Sequence, residues 1–351
     1  MRQDDWMQTY AGYETLLAIA AARGQGPDDT ELEELRSFGE QAATDGTTLR
    51  ALIVCHLARA RAVWPVGPAG ADHVLATVQR AVMALCEGYE RAQHLAVRQQ
   101  EAERREFIDA LLYGRSDLGR LVESADRFGL RLSRAHAVAV AEGPAPYAED
   151  DLAPRRVERA VTARFGERSV LLTTKDGRMI CIAPGDQGDV LTHFAKQAHA
   201  ATDGGRAAVG RPHIGAGGVA RSYEEALYVL DLADRLRLED PVLQASDHLV
   251  YPVLTRDRQA MADLVRTTLG PLLNARSGPE AYLDTLAAYF GSGCVTTRAA
   301  RDLSLSVRAF TYRLERIHQL TGSDPTDPQQ RYALQTAVIG AQILNWPAQK
   351  A

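Results

Sequence analysis

Residues 282–322 read YLDTLAAYFGSGCVTTRAARDLSLSVRAFTYRLERIHQLTG. The stretch parses into three helices. The first runs from Tyr282 to Phe290 and is stopped by Gly291 and Gly293. The second is short, from Thr296 or Thr297 to Leu303, with a threonine as N-cap and Ala299 and Ala300 in its middle. After a turn of about three residues Ser306 caps a third helix, which runs to Leu320 and ends at Gly322.

A short helix, a tight turn and a longer helix make the helix-turn-helix arrangement, which is expected over 283–320. The alanines let the two helices cross closely, and the second offers its N-terminal half to the major groove of DNA. On that helix Val307, Phe310, Leu314 and Ile317 recur at three and four residues and are expected in the core. Arg308, Thr311, Tyr312, Arg313 and Arg316 fall on the remaining arc. Together with Thr297, Arg298, Ser306 and Ala309 they form the expected contact set for double-stranded DNA. Between residues 296 and 320 five arginines stand against Asp302 and Glu315, a net charge of +3 in a chain whose total is −5. A basic patch on an acidic protein fits phosphate binding by one small domain. The plainer alternative is a three-helix cluster with solvated arginines.

The bulk properties set the frame. At 351 residues the chain exceeds one ordinary core, and 46 % hydrophobic with 24 % charged residues marks a globular protein. Its four cysteines, Cys55, Cys86, Cys181 and Cys294, are widely separated and form no CxxC pair. Neither a structural zinc nor a disulfide framework is expected, and a reducing cytoplasm fits. The start, MRQDDWMQTYAGYE, lacks the basic and apolar regions of a signal peptide. No apolar run approaches the ~18 residues of a membrane span.

Residues 1–113 read as helical. Helices are expected over Asp4–Ala22, from Asp28 and Asp29 onward, and over Thr48–Trp64 until Pro65. The third has Leu49, Leu52, Ile53, Leu57 and Ala60 on one face. After Gly67-Pro-Ala-Gly70 a long helix begins near Ala71. Val78, Val82, Leu85, Tyr89, Ala92 and Ala96 form either a dimer seam or a face buried in the helix's own domain. Cys55 and Cys86 sit on helical apolar faces and are expected in the core. Gly114 closes this region. A strand is expected over Ala135–Ala141, and a β-hairpin from Ser169 to about Ala183 around Asp176-Gly177. A helix over about 187–201, a strand at Arg206–Val209 and a helix opened by a Ser222–Glu225 capping box complete an α/β region. From Asp257 to Trp346 the chain is helical again.

The run TYRLERIHQLTGSDPTDPQQRYALQTAVIGAQIL, 311–344, resembles the C-terminal module of PucR/CdaR-type bacterial regulators. The marks are Tyr312-Arg313-Leu314, Leu320-Thr321-Gly322, Asp327-Pro328 and Arg331–Gln335. One departure stands out: the family usually has Arg-Asn-Thr where Val307, Arg308 and Ala309 stand here. The segment VGRPHIGAGGVARSYEEALYVL, 209–230, is similar to the closing part of a degenerate GGDEF nucleotide-cyclase fold, and the helical N-terminal region looks like that of actinobacterial members. The resemblance implies a multi-domain, mainly α protein: a helical sensor domain over 1–113, a GGDEF-like α/β domain over 114–250 and a helical DNA-binding domain over 251–351.

No enzyme is expected. A working cyclase holds metals on acids at its hairpin turn, and alignment with GGDEF places Gly177 and Arg178 where the two acids belong. Gly215-Ala-Gly217-Gly218 lacks a full phosphate-loop pattern and reads as a turn. The nine histidines form no HxxE, HxH or HExxH group, so no catalytic residue, cofactor or metal is assigned. The expected function is a transcription regulator that binds DNA as a homodimer and answers an unidentified small-molecule or protein effector, without contacting a membrane. The rival readings are a signalling scaffold whose helix-turn-helix binds protein, and a nucleotide-handling enzyme.

Overall fold

A computed structural model describes residues 26–63, 71–114, 118–148, 151–166, 170–202, 204–275 and 278–347. The helix expected over Asp4–Ala22, Trp64 with Pro65, the Gly67–Gly70 linker and Ser169 lie outside the described residues. The chain divides into two compact units, Met1–Glu106 and Phe107–Ala351.

The first unit contains α1 (Asp29–Thr44), α2 (Leu49–Val63) and most of α3 (Ala71–Tyr113). Asp28 does more than favour the positive end of α1. Its carboxylate accepts from the Glu31 amide while Glu31 accepts from the Asp28 amide, both at 2.9 Å, a reciprocal cap. Leu35, Leu52, Ala81, Ala84, Leu85 and Tyr89 form the core. On α2 the buried stripe is Leu52, His56 and Ala60, in steps of four, and Leu57 is 47 % exposed instead of buried. Cys55 and Cys86 are half-buried. On α3 Leu85 is fully buried in this unit's own core, whereas Ala96 is exposed. The central part of the seam is therefore an internal face. Backbones of α1 and α3 meet there: a Cβ on Gly88 would lie 1.9 Å from the Arg36 carbonyl oxygen, and one on Gly39 2.1 Å from that of Leu85.

The second unit is built on a sheet of β1 (Ala135–Glu142), β2 (Leu171–Lys175), β3 (Arg178–Pro184), β4 (Arg206–Val209), β5 (His213–Ile214) and β6 (Val242–Gln244). The order is β2-β3-β1-β4-β6, with β5 also beside β1; only β4 and β6 run parallel. Helices α4 (Leu118–Arg127), α5 (Leu152–Phe165), α6 (Gly188–Ala201) and α7 (Ala216–Leu236) cover it. The alternation in β1 sorts the two faces. Ala137, Ala139 and Ala141 pack with Val157 and Val161 of α5 and Phe194 of α6. Val138 and Val140 pack on the other face with Tyr223 and Leu230 of α7, Leu121 of α4 and the Phe107–Leu112 end of α3. Small residues meet the bulky helices and branched ones the other side, so a strand buried on both faces reads as almost wholly apolar.

The Asp176-Gly177 turn joins β2 to β3 as expected, with φ of +50° and +73°, the left-handed pair that a two-residue hairpin needs. The expected capping box at Ser222 is corrected. Helix α7 starts at Ala216, after Gly215 with φ +84°. Ser222 is buried within the helix, and its Oγ accepts from the Val138 amide of β1 at 2.9 Å. Glu225 accepts from Arg211 Nε at 3.1 Å and lies 3.0 Å from His213 Nε2. Burial pushes the Glu225 carboxyl up, but the bonds from Arg211 and His213 outweigh it and hold it below its usual range.

The rest of the second unit is helical: α8 (Val250–Leu254), α9 (Arg258–Leu269), α10 (Glu280–Gly291), α11 (Thr296–Asp302), α12 (Val307–Thr321) and α13 (Pro328–Ile343). It is tied to the sheet region through α7. Arg235 Nη1 donates to the Ile343 carbonyl at 2.6 Å, at the end of α13, and Tyr228 Oη lies 3.3 Å from Thr255 Oγ1. Among the described residues no helix is long and apolar enough to cross a membrane.

Candidate nucleic-acid interface

The core beneath the interface explains its shape. Leu286 and Tyr289 of α10, Ala299 and Ala300 of α11, Phe310, Leu314 and Ile317 of α12, and Leu334 of α13 share one cluster. Ala299 and Ala300 are fully buried, and their small side chains let α11 lie close to α12. Between the two helices the Leu305 amide donates to the Ala300 carbonyl at 2.7 Å and Ser304 takes a φ of +55°, so the turn is closed by the backbone itself.

Local chemistry sets both ends of α12. Ser306 Oγ accepts from the Ala309 amide at 3.2 Å, as expected of an N-cap, and Gly322 ends the helix in the left-handed conformation. Two expectations fail here. The N-cap of α11 is Val295, with no side-chain bond, because the chain turns back at Gly293 and Cys294 and brings both threonines inside the first turn. Val307 is 47 % exposed: at the first helical position it precedes the part of α12 that meets the core.

Thr297 and Arg298 lie exposed on the first turn of α11. On α12, Arg308, Thr311, Tyr312 and Arg316 are exposed, Tyr312 by 67 %, while Ala309 is half-buried. Arg316 Nη1 donates to Gln319 Oε1 at 3.0 Å. Arg313 departs from the outer arc. It is half-buried, and its Nη1 donates to Thr285 Oγ1 of α10 at 3.5 Å. Beyond α12 the Asp-Pro linker is held by hydrogen bonds. Asp324 Oδ1 accepts from the Thr326 amide at 2.8 Å, and Asp327 Oδ1 accepts from the Gln329 and Gln330 amides, capping α13.

The hairpin turn of the sheet region is engaged by its own neighbours. Lys175 Nζ pairs with Asp109 at 2.8 Å, Arg178 Nε donates to Glu142 Oε2 at 3.2 Å, and the Tyr113 hydroxyl donates to Asp176. The Asp109 bond raises the Lys175 pKa. Burial, then the Asp176 bond, raises that of Tyr113. Among the described residues no three His, Cys, Asp or Glu side chains gather as a metal site.

Comparison with known proteins agrees with both regions. Residues 113–232 match the GGDEF-like domain family, and residues 282–339 match the PucR C-terminal helix-turn-helix domain. An uncharacterized protein of Mycobacterium bovis and one of Mycobacterium tuberculosis are each 33 % identical to this chain over 127 residues, 36 % of its length. The match spans only 30 % of either relative's length. The crystal structure of a regulator of polyketide synthase expression from Bifidobacterium adolescentis aligns over 68 % of this chain and 97 % of its own, with 21 % identity and a TM-score of 0.36.

Proposed function

The chain carries a GGDEF-like domain followed by a PucR C-terminal helix-turn-helix domain, and from that pairing we propose that it is a DNA-binding transcriptional regulator of the PucR type. The observation that carries the proposal is α12: capped at both ends, anchored by Phe310, Leu314 and Ile317, and presenting Arg308, Thr311, Tyr312 and Arg316 to solvent. A helix so held can enter a major groove without losing its support. Thr297, Arg298 and Ser306 extend the contact surface toward α11.

Two copies act together, because a lone module with a net charge of about +3 makes few phosphate contacts for specific binding. In the dimer the two α12 helices reach half-sites about one DNA turn apart. We divide the chain into a sensor over 1–113, the α/β region over 114–250 and the DNA-binding region over 251–351, and place it in the cytoplasm with an effector acting on the upstream regions. The α/β region serves as a relay rather than a cyclase, since Gly177 and Arg178 replace the metal-holding acids.

Genome-wide footprinting of the full chain, followed by salt-dependent binding to the recovered fragments, tests the reading. Discrete sites bound more weakly as salt rises are expected. Uniform failure to retain any fragment at low salt would sink it and favour a protein partner for α12.

A further inference from the structure

We propose that the groove between α10 and α12 holds one phosphate of the DNA backbone, gripped by Arg313 and Tyr282, so that these residues position the duplex and leave base reading to others. The proposal rests on the DNA-binding reading above and adds Tyr282, which lies outside the expected contact set.

The groove encloses about 530 Å³. Ala281 and Tyr282 line it from α10, and Ser306, the N-cap of α12, lines it with Arg308, Ala309, Tyr312 and Arg313 of that helix. Its lining residues include no acid: half-buried Arg313 and Tyr282 supply a guanidinium and a hydroxyl, and the exposed Arg308 and Tyr312 stand at its outer edge. That set suits an anion with several oxygens.

Arg313 is the fixed member. Thr285 is fully buried and its Oγ1 donates to the Ala281 carbonyl at 2.6 Å, so the hydroxyl meets the guanidinium with a lone pair. Arginine carries five N–H donors in a planar fork. The Thr285 contact uses one of them and leaves the others for a phosphate. A half-buried, tethered guanidinium sits back from the protruding face of α12, where base edges are met, and loses less freedom on binding than an exposed arginine. Tyr282 adds a phenol hydroxyl on a stiff side chain, able to donate to a second phosphate oxygen. Phosphate contacts fix register and carry no sequence information themselves. Reading then falls to the exposed Arg308, Thr311 and Tyr312.

The test measures affinity of the full chain over a range of KCl concentrations for two duplexes, one holding a footprinted site and one of unrelated sequence. Arg313→Gln is expected to weaken both by the same factor, about tenfold, and to reduce the slope of log affinity against log salt by about one. Tyr282→Phe is expected to weaken both about threefold with the slope unchanged. Arg313→Lys, which keeps the charge and the fold, is expected to retain the parent slope. Thermal melting of each variant at the parent temperature establishes that folding is intact. If Arg313→Gln alters the preference between duplexes, Arg313 reads bases and the proposal falls. It falls equally if a parent that binds DNA is matched in affinity and slope by both the Arg313→Gln and Tyr282→Phe variants. A parent that binds neither duplex removes the DNA-binding reading itself, and the phosphate site with it.

Discussion

Arg308 and His56 show how differently a single side chain can matter. Arg308 is exposed and stands apart from the Phe310, Leu314 and Ile317 core. Replacing it with Ala is expected to weaken binding to a footprinted site by about 1–3 kcal/mol and to leave thermal melting unchanged. Gel-shift titration beside a melting curve checks both halves. His56 sits in the core of the first unit, and burial lowers its pKa from 6.5 to about 4. It stays neutral in the folded state while the unfolded chain takes up a proton below pH 6.5. Stability is therefore complete above that pH and is lost as pH falls from 6.5 toward 4, by roughly 3 kcal/mol at most. Denaturant melts across this range should show the decline in the parent and a flatter profile in His56→Leu. Neither His56 nor Arg313 was legible from sequence. Periodicity sorts residues by hydrophobicity on one helix, so it placed Leu57 inside in place of its polar neighbour. It also sent Arg313 outward, because Thr285 belongs to a different helix. Ser222 was misread for the same reason: Ser-x-x-Glu is a local signal, but the amide that Ser222 serves belongs to Val138, far away along the chain.

At the level of elements, legibility followed locality. The Asp176-Gly177 hairpin, the Ser306 and Gly322 ends of α12 and the three-helix parse of 282–322 depend on neighbours in sequence, and all were readable. Helices α4 and α5 and strand β6 were missed, although α5 has Asp151 just before its first turn and Gly166 just after its last. Val157 and Val161 of α5 bury in a cluster with Phe194 and its neighbours on α6 and the alanine face of β1, partners that the α5 segment itself does not announce. The α1–α3 contact was equally hidden, since two unremarkable glycines allow it. Gly88→Val is expected to destabilise the first unit by about 1–3 kcal/mol, because the new side chain meets the backbone at Arg36 and one helix must shift. Denaturant titration followed by circular dichroism checks this. A variant as stable as the parent would mean that α1 and α3 can separate without loss.

Across the whole molecule, the GGDEF-like region and the helix-turn-helix are held within one compact unit. The purified chain is expected to make no cyclic nucleotide from GTP or ATP with Mg²⁺ or Mn²⁺, because the turn Lys175-Asp176-Gly177-Arg178 carries a single acid, which Tyr113 engages, and Arg178 is paired with Glu142. Chromatography of nucleotides after prolonged incubation checks this, and turnover abolished by changing the hairpin would overturn the relay role. The C-terminal module matched between 282 and 339 looks like a part that could be moved between proteins. Yet α13 continues past that span, and at Ile343 its last turn receives a hydrogen bond from Arg235 on α7, in the preceding region. Grafted onto another protein at residue 251, the module would arrive with that carbonyl unmet and the α7-facing side of α13 bare. Its portability ends at α7: a transplant that keeps the native packing of α13 must bring along the helix beginning at Ala216, and with it the sheet on which that helix is folded.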